Sequence, residues 1–133
     1  MGTVIADGLE RDRYTCIIDY PASQASLARI ERSNPDWPVA NRFEVYYGSV
    51  ELANGFYELT DGEEQQSRFE SDNRVRVRSS KQPMPIDTRF IASLKHGMPD
   101  CAGVAVGIDR LMMVLLPEIE AMQQVISFNW QRA

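Results

Sequence analysis

Several residue types that build common functional sites are scarce in this sequence. It contains two cysteines, Cys16 and Cys101, and one histidine, His96. The cysteines lie far apart and lack the paired spacing of a Cys/His zinc site, so that class of site is excluded. His96 has no serine or cysteine neighbour with which to form a nucleophilic pair, and it is predicted to lie on the surface. We expect both cysteines to be reduced and structural, in a cytoplasmic protein.

The sequence also lacks a long apolar run and a surplus of positive charge. No basic N-terminal region precedes an apolar stretch, and the apolar stretch that follows Arg110 is too short to span a bilayer. Neither export nor membrane anchoring is therefore expected. The 14 Lys and Arg against 19 Asp and Glu give a net charge of −5. This balance disfavours strong binding to nucleic acid.

What is present fits one domain of the α+β class, with an antiparallel sheet flanked by helices. The 133 residues are 44% hydrophobic and 25% charged, which is ordinary for a globular protein. Residues 1–13 are weakly patterned and are expected to form a lead-in segment before a domain over residues 14–133. Alternation, caps and breakers predict the following elements: a buried strand over 14–19, a short helix within 21–28 capped by Ser23 or Ser26, strands over 42–47 and 50–53, helices over 61–77 and 87–95, a central strand over 104–108 and a buried helix over 111–116.

The junction between the last predicted strand and helix carries two charged residues in an apolar setting. Gly103 and Gly107 bracket the strand, and Asp109 and Arg110 follow it directly. A buried guanidinium is costly unless it meets an anion. Two interpretations remain open: a structural ion pair in an ordinary core, or a phosphate group that meets Arg110 beside glycines that admit a planar ligand.

A predicted hairpin around Gly48-Ser49 places two carboxylates on one face. With a two-residue loop, Tyr46 lies opposite Glu51, and Glu44 lies diagonal to Glu51 at about 7 to 8 Å. The alternation puts Phe43, Val45, Tyr47, Val50 and Leu52 on the other, apolar face. Glu44 and Glu51 could form a solvated surface, or they could converge on Mg²⁺, which prefers oxygen ligands.

The strand after the hairpin carries a third group of interest. Asn54-Gly55 interrupts the alternation, so a bend is predicted that presents Asn54, Phe56 and Glu58 at one end of the sheet. A carboxylate beside an aromatic ring suits a cationic amine. The alternative is an ordinary turn with a packed phenylalanine.

The charged segment that follows is predicted to be a solvated outer helix. Asp61 and Glu64 have capping-box spacing, and the pairs Glu64/Arg68 and Glu70/Arg74 are four residues apart. The arginines are therefore interpreted as surface charge. Asp87 is predicted to cap the next helix.

Four collinear stretches resemble a known family. The run from Gly103 to Arg110 is similar to the third motif of class II aminoacyl-tRNA synthetases. Together the stretches resemble the C-terminal half of the lysyl-tRNA synthetase catalytic domain, and more closely its bacterial paralogues, the elongation factor P lysine ligases. The stretches are Arg42-Phe-Glu44, Glu51-Leu-Ala-Asn54-Gly-Phe56-Tyr-Glu58-Leu, Gly97-Met-Pro-Asp-Cys-Ala-Gly103 and Gly107-Ile-Asp-Arg110.

The resemblance implies a site for ATP and Mg²⁺. It makes Glu44 and Glu51 the magnesium and ATP carboxylates, with the backbone of Glu51 and Leu52 near the adenine. Gly107 would lie under the nucleotide, and Arg110 would meet the terminal phosphates. Glu51 and Arg110 are thus the implied catalytic residues.

The resemblance also implies an amino-acid pocket. Asn54, Phe56 and Glu58 would bind a lysine-like substrate, with Glu58 facing its ammonium group. Ala105 stands where the synthetases typically have glycine, and it would help to reshape the pocket for (R)-β-lysine, the substrate of the ligases. The segment 21–28 also looks like that of the ligases, because it lacks the Ser-Pro of the synthetases.

The implied reaction forms a lysyl or β-lysyl adenylate from ATP and transfers it to a lysine of elongation factor P. The first and second motifs of the family are not found here, so the chain resembles a C-terminal part of the catalytic domain, either truncated or a short natural reading frame. We expect it to lack full ligase activity alone. The resemblance also implies a homodimer, the assembly of the family. Alternatives are a non-catalytic nucleotide- or protein-binding module, a fragment of a true lysyl-tRNA synthetase, and a plain acidic α+β domain.

Overall fold

The computed structural model describes residues 6–128 and contains a five-stranded sheet with three helices. The strands follow the order β1-β3-β4-β5, and β2 pairs antiparallel with β3. The predicted α+β class with an antiparallel sheet is confirmed. In chain order the elements are β1 (Tyr14–Pro21), β2 (Ile30–Glu31), β3 (Val39–Tyr47), β4 (Val50–Tyr57), α1 (Gly62–Arg78), α2 (Thr88–His96), β5 (Ala102–Val106) and α3 (Ile108–Leu115).

The predicted hairpin is present, and both of its strands are longer than expected. β3 and β4 are joined by Gly48 and Ser49, and Gly48 has φ of 53°, a left-handed conformation that favours glycine. In β4 the buried positions Leu52 and Gly55 are three residues apart. A regular strand would repeat every two residues, so the pattern of burial changes at the predicted Asn54-Gly55 position although the strand continues.

The chain divides into two compact units. Unit 1 comprises Met1–Asp19, Arg42–Gly55 and Val104–Ala133, and unit 2 comprises Tyr20–Asn41 and Phe56–Gly103. Among the described residues, the buried apolar side chains of unit 1 are Ala6, Tyr46 and Leu52. Those of unit 2 are Tyr20, Ala25, Ala28, Ala40, Leu59, Ile91 and Leu94.

The helices of unit 2 begin where the sequence predicts. The Asp61 carboxylate accepts hydrogen bonds from the backbone N–H groups of Glu63 and Glu64, and Asp87 does the same at the start of α2. The predicted pair of Glu64 and Arg68 forms at 2.5 Å. The second predicted pair, Glu70 and Arg74, does not form among residues 6–128, and Glu70 accepts a hydrogen bond from Gln66 at 3.0 Å.

The predicted serine-capped helix near residue 25 is wrong. Only a 3-10 turn over Ala22–Gln24 forms, with Pro21 before it and no side-chain cap. Proline offers no side-chain oxygen to the first N–H groups, and Ser26 has φ of 52°, which a residue entering a helix does not adopt.

The predicted burial of the last strand and helix is also wrong. All five residues of β5 are exposed, Val104 to 56%, and α3 has no buried residue. β5 is the last strand in the sheet order, and nothing within residues 6–128 covers its side chains. The same applies to β1, the first strand, where Ile18 is 61% exposed. The strand also ends at Val106, which lets the helix begin at Ile108.

The remaining expectations concern cysteine, histidine and membrane segments. Cys16 and Cys101 are free thiols, and His96 is exposed at the end of α2. Among the helices described here, none is long and apolar enough to cross a membrane.

Candidate functional site

Glu44 of β3 is the most deeply buried carboxylate of the described chain, with 5% of its surface exposed. Its oxygens accept hydrogen bonds from the Arg42 guanidinium, from the Tyr46 hydroxyl and, at 3.2 Å, from the Asn54 amide. Arg42 and Tyr46 each lie two residues from Glu44, so all three side chains project from one face of the strand. These donors compensate for burying a charge. The solvated-face interpretation therefore does not apply to Glu44.

Arg110 lies near the start of α3 and reaches the β4 backbone. Its Nη1 donates to the Glu51 carbonyl at 2.8 Å and lies 3.9 Å from the Glu51 carboxylate. The side chains of Arg110 and Glu51 are 46% and 38% exposed. The expectation of a buried guanidinium is therefore wrong, because the β5–α3 junction is open to solvent. Arg110 is not neutralised by a core carboxylate, as the plain-domain alternative would require.

Gly107 joins β5 to α3, and its N–H donates to the Leu52 carbonyl at 2.8 Å. Its φ of −77° suits any residue. A Cβ placed there would lie 3.5 Å from the nearest atom, a carbon of the Arg110 side chain. Neither strain nor crowding within the described chain requires glycine here. Because glycine has no Cβ, Gly107 leaves open a space beside the β5–α3 junction that any other residue would partly fill.

Three charged side chains of unit 1 face one cavity. Glu44, Glu51 and Arg110 line a space of about 400 Å³ together with Ala6, Tyr46, Ser49 and Val50. Arg110 lies 59 residues from Glu51 in the sequence, and the fold brings it together with the hairpin carboxylates. The cavity holds two potential oxygen ligands and one guanidinium, a combination suited to a phosphate group with a hard cation.

The carboxylates of Glu44 and Glu51 could supply only some of the ligands that a magnesium ion needs. No cluster of three or more His, Cys, Asp or Glu side chains that could hold a metal occurs within residues 6–128. Mg²⁺ usually takes one or two carboxylates and completes its shell with water and substrate phosphates, so Glu44 and Glu51 meet that requirement. Glu51 is the more accessible ligand, because the Glu44 oxygens already accept hydrogen bonds from three side chains.

Asn54 and Ala105, two residues predicted for the amino-acid pocket, belong to unit 1. Asn54 donates to Glu44 through its amide nitrogen, while its buried Oδ1 has no hydrogen-bond partner within the described residues. That oxygen can accept a hydrogen bond from a donor group of a ligand. Ala105 lies in β5 and is exposed.

Phe56 and Glu58, the other two predicted pocket residues, belong to unit 2 and are half-buried. The Glu58 N–H donates to the Cys101 carbonyl at 3.0 Å, and Glu58 pairs with Ala28 in an isolated β-bridge. The Glu58 Oε1 would lie 3.0 Å from a Cβ added at Gly103. The Glu58 carboxylate therefore lies beside Gly103, where the absence of a side chain leaves space for it.

A cluster around Arg29 holds the segment that contacts Glu58. Arg29 Nη2 pairs with Asp100 Oδ1 at 2.6 Å, and its guanidinium carbon lies 4.3 Å from the centre of the Tyr57 ring. Arg29 also donates to the Tyr57 hydroxyl at 3.3 Å and to Thr60 at 3.4 Å. The hydrogen bond from Arg29 lowers the pKa of Asp100, and Asp100 in turn raises the pKa of Arg29.

Sequence reasoning missed the residues that support the predicted site, above all Arg42, Arg29 and Asp100. Arg42 could have been identified from the sequence, because it lies two residues before Glu44 and must share its face of the strand. No local sequence pattern indicates that Arg29 and Asp100 interact, because they lie 71 residues apart.

Comparison with known proteins finds one matching family model and two relatives that share a name. The family model described as tRNA synthetases class II (D, K and N) matches residues 6–132. A protein of Hamiltonella defensa subsp. Acyrthosiphon pisum named elongation factor P–(R)-β-lysine ligase is 54% identical over 123 residues. A protein of the same name from Pectobacterium carotovorum subsp. carotovorum is 52% identical over 123 residues. Each alignment covers 92% of this chain and 37% of the relative, so the chain spans just over a third of their length.

Proposed function

Since the chain belongs to the class II tRNA synthetase family (D, K and N), we propose that it forms part of an ATP-dependent ligase. The ligase activates lysine or (R)-β-lysine as an adenylate and transfers it to a lysine of elongation factor P. The names of the two relatives support the acceptor and the β-amino acid. The observation that carries the proposal is the meeting of Glu44, Glu51 and Arg110 at one cavity.

In this proposal the cavity of unit 1 binds the phosphates of ATP. Arg110 donates to the terminal phosphates, for which its half-exposed guanidinium is available. Glu51 and Glu44 would hold Mg²⁺, which would supply positive charge beside the phosphates. Gly107 allows the flat base and ribose to approach the junction, and the Glu51-Leu52 backbone lies near the adenine.

The amino-acid substrate is bound by the residues that follow the hairpin carboxylates. Glu58 faces the substrate ammonium group, and Phe56 supplies an aromatic surface. The unpartnered Asn54 oxygen accepts a hydrogen bond from a substrate amine. Ala105, with one methyl group more than glycine, is proposed to favour the β-amino acid.

Two steps make up the reaction. A carboxylate oxygen of the amino acid attacks the α-phosphorus of ATP, the bond to the β-phosphate breaks, and pyrophosphate leaves. The amine of an acceptor lysine then attacks the carbonyl carbon of the adenylate, AMP leaves with the bonding electron pair, and the amine loses a proton. The chain contributes by orienting the two reactants and by stabilising phosphate charge through Arg110.

Titration of the chain with a fluorescent ATP analogue and Mg²⁺ tests the nucleotide part of this proposal. We expect binding that weakens about tenfold, or roughly 1.4 kcal/mol, in Arg110→Ala and Glu51→Gln. Gly107→Ala is expected to weaken binding in the same way while changing the free energy of unfolding by less than about 1 kcal/mol.

Arg89→Ala is the matched control, because Arg89 is exposed on α2 and is not among the residues that line the cavity. Equal binding by the parent chain, Arg110→Ala and Glu51→Gln would contradict the assignment. We expect the chain alone to lack lysine-dependent exchange between ATP and pyrophosphate, and robust exchange would show that these residues suffice for activation.

A further inference from the structure

Residues 6–13, which precede β1 and belong to unit 1, form a segment that we call the strap. Ala6, at one end of the strap, is 8% exposed and lines the cavity that Glu51 and Arg110 also line. The Ala6 carbonyl accepts a hydrogen bond from the Leu9 N–H at 3.2 Å. The strap therefore supplies part of the wall of the proposed nucleotide site.

Gly48 of the hairpin turn holds the other end of the strap. Its N–H donates to the Arg13 carbonyl at 3.2 Å. A Cβ at Gly48 would lie 2.7 Å from the Arg11 carbonyl oxygen, a distance that forces one of the two groups to move. Asparagine also adopts a φ near 53°, so the conformation alone does not require glycine. The close approach of the strap does.

The middle of the strap is loosely packed. A second cavity of unit 1, of about 500 Å³, is lined by residues of the strap, of the hairpin turn and of α3, among them Leu9, Ser49 and Met113. Leu9 is only half-buried, and Asp7 and Glu10 are exposed. A segment with few buried side chains opens more readily than a packed core. The strap can therefore detach while the hairpin stays folded.

We propose that docking of the strap on Gly48 favours nucleotide binding at the neighbouring cavity, which makes Gly48 a positioning residue for that site. This inference rests on the proposed function, because it takes the cavity at Arg110 as the nucleotide site. Ala6 has no polar side chain to compete for phosphate, and a space of about 400 Å³ stays open beside the docked strap. The docked strap keeps water from one side of the cavity, which strengthens the attraction between Arg110 and phosphate.

Limited proteolysis with trypsin, read by mass spectrometry, measures docking of the strap. Trypsin cleaves after Arg11 and Arg13, whose carbonyls both contact Gly48, so cleavage there requires the strap to detach. Cleavage after Lys81, an exposed residue of unit 2, is the internal reference. Saturation with a non-hydrolysable ATP analogue and Mg²⁺ should slow strap cleavage at least about fivefold relative to this reference, because coupling between two sites is reciprocal.

Two variants weaken docking from opposite sides. Gly48→Asn tolerates the positive φ but adds a Cβ beside the Arg11 carbonyl, and Leu9→Ser removes an apolar side chain of the strap that does not line the nucleotide cavity. We expect each to speed strap cleavage and to raise the Kd of the fluorescent ATP analogue at least about fivefold.

Gly97→Ala is the matched control for a substitution at positive φ. Gly97 has φ of 126°, and no atom of the described chain lies within 4 Å of a Cβ added there. This variant should leave both strap cleavage and the Kd unchanged. Urea unfolding establishes that each variant is folded before its rates are compared.

Three results would overturn the coupling and leave the proposed nucleotide site intact: faster strap cleavage with an unchanged Kd, unchanged cleavage in both variants, or equal cleavage of the parent chain with and without the analogue. A parent chain that does not bind the analogue would contradict the proposed function and the coupling together. The cleavage rates of the variants without nucleotide would then still show whether Gly48 holds the strap, so the two failures are distinguishable.

Discussion

Arg29 and Asp100, which are 71 residues apart in the chain, are joined by an ion pair of 2.6 Å. Asp100 directly precedes Cys101, whose carbonyl accepts the Glu58 N–H. The pair thereby fixes the backbone on which Glu58 depends. Side-chain exposure of 33% and 66% indicates that the pair positions a segment and contributes little to overall stability.

The first prediction concerns this positioning role. Asp100→Asn should speed hydrogen exchange of the Glu58 N–H while shifting the midpoint of urea unfolding only slightly, because the pair is exposed. Exchange is read by NMR. Asp36→Asn, at an exposed loop residue, is the control and should change neither quantity. Unaltered exchange at Glu58 in Asp100→Asn would show that the pair does not hold this segment.

The second prediction concerns the buried pair of Arg42 and Glu44, whose side chains are 17% and 7% exposed. Arg42→Met should lower the free energy of unfolding by about 3 to 5 kcal/mol, since it leaves a buried carboxylate without its cation. Arg32→Met removes the exposed partner of Glu64 and should cost less than about 1 kcal/mol. Urea denaturation measures both values. Adding Glu44→Leu to Arg42→Met should restore part of the loss, and a further loss would contradict this account.

The third prediction is a pH dependence at the start of α1. Hydrogen bonds from the backbone N–H groups of Glu64 and Glu63 lower the pKa of Asp61 from 3.8. A lowered pKa in the folded state stabilises the protein above the unfolded pKa, and this contribution is lost as the pH falls through the folded value. Asp61→Asn, which keeps a side-chain acceptor but does not titrate, should show a smaller loss of thermal stability between neutral pH and about pH 3. Identical acid profiles would contradict the assignment.

The fourth prediction concerns the cap of α2, where Asp87 accepts from the N–H groups of Arg89 and Phe90 at 2.9 and 3.0 Å. Asp87→Ala should lower the free energy of unfolding by about 1 kcal/mol, because two backbone donors lose their acceptor. Thermal or urea unfolding measures the change. Asp87→Ser should recover most of it, and an equal loss in Asp87→Ser and Asp87→Ala would show that the hydroxyl does not replace the carboxylate.

The fifth prediction addresses the choice between lysine and (R)-β-lysine. If Ala105 contacts the substrate as proposed, the substitution equivalent to Ala105→Gly in a full-length relative should shift the relative affinity of the two amino acids by about 1 to 3 kcal/mol, because it removes one methyl group. Competition binding measures the ratio. An unchanged preference would remove Ala105 from the specificity-determining residues.

The sequence by itself determined the features that depend on neighbouring residues. The hairpin around Gly48 and Ser49 follows from strand alternation and a glycine that adopts positive φ. The caps at Asp61 and Asp87 follow from carboxylates that precede helical segments. The motif that ends at Arg110 also pointed to the family, since glycine spacing, strand and charged pair all lie within a few residues.

Only the tertiary structure decided which faces are buried and which distant groups meet. Strand alternation predicts that Glu44 and Tyr46 lie on the opposite face from Phe43 and Val45. In the folded chain, Glu44 and Tyr46 lie on the more buried face, which the alternation alone does not determine. The apolar residues of β5 are exposed because no element within residues 6–128 packs against their side chains. Burial and long-range pairing depend on what the rest of the fold brings against a surface, and a local pattern does not contain that information.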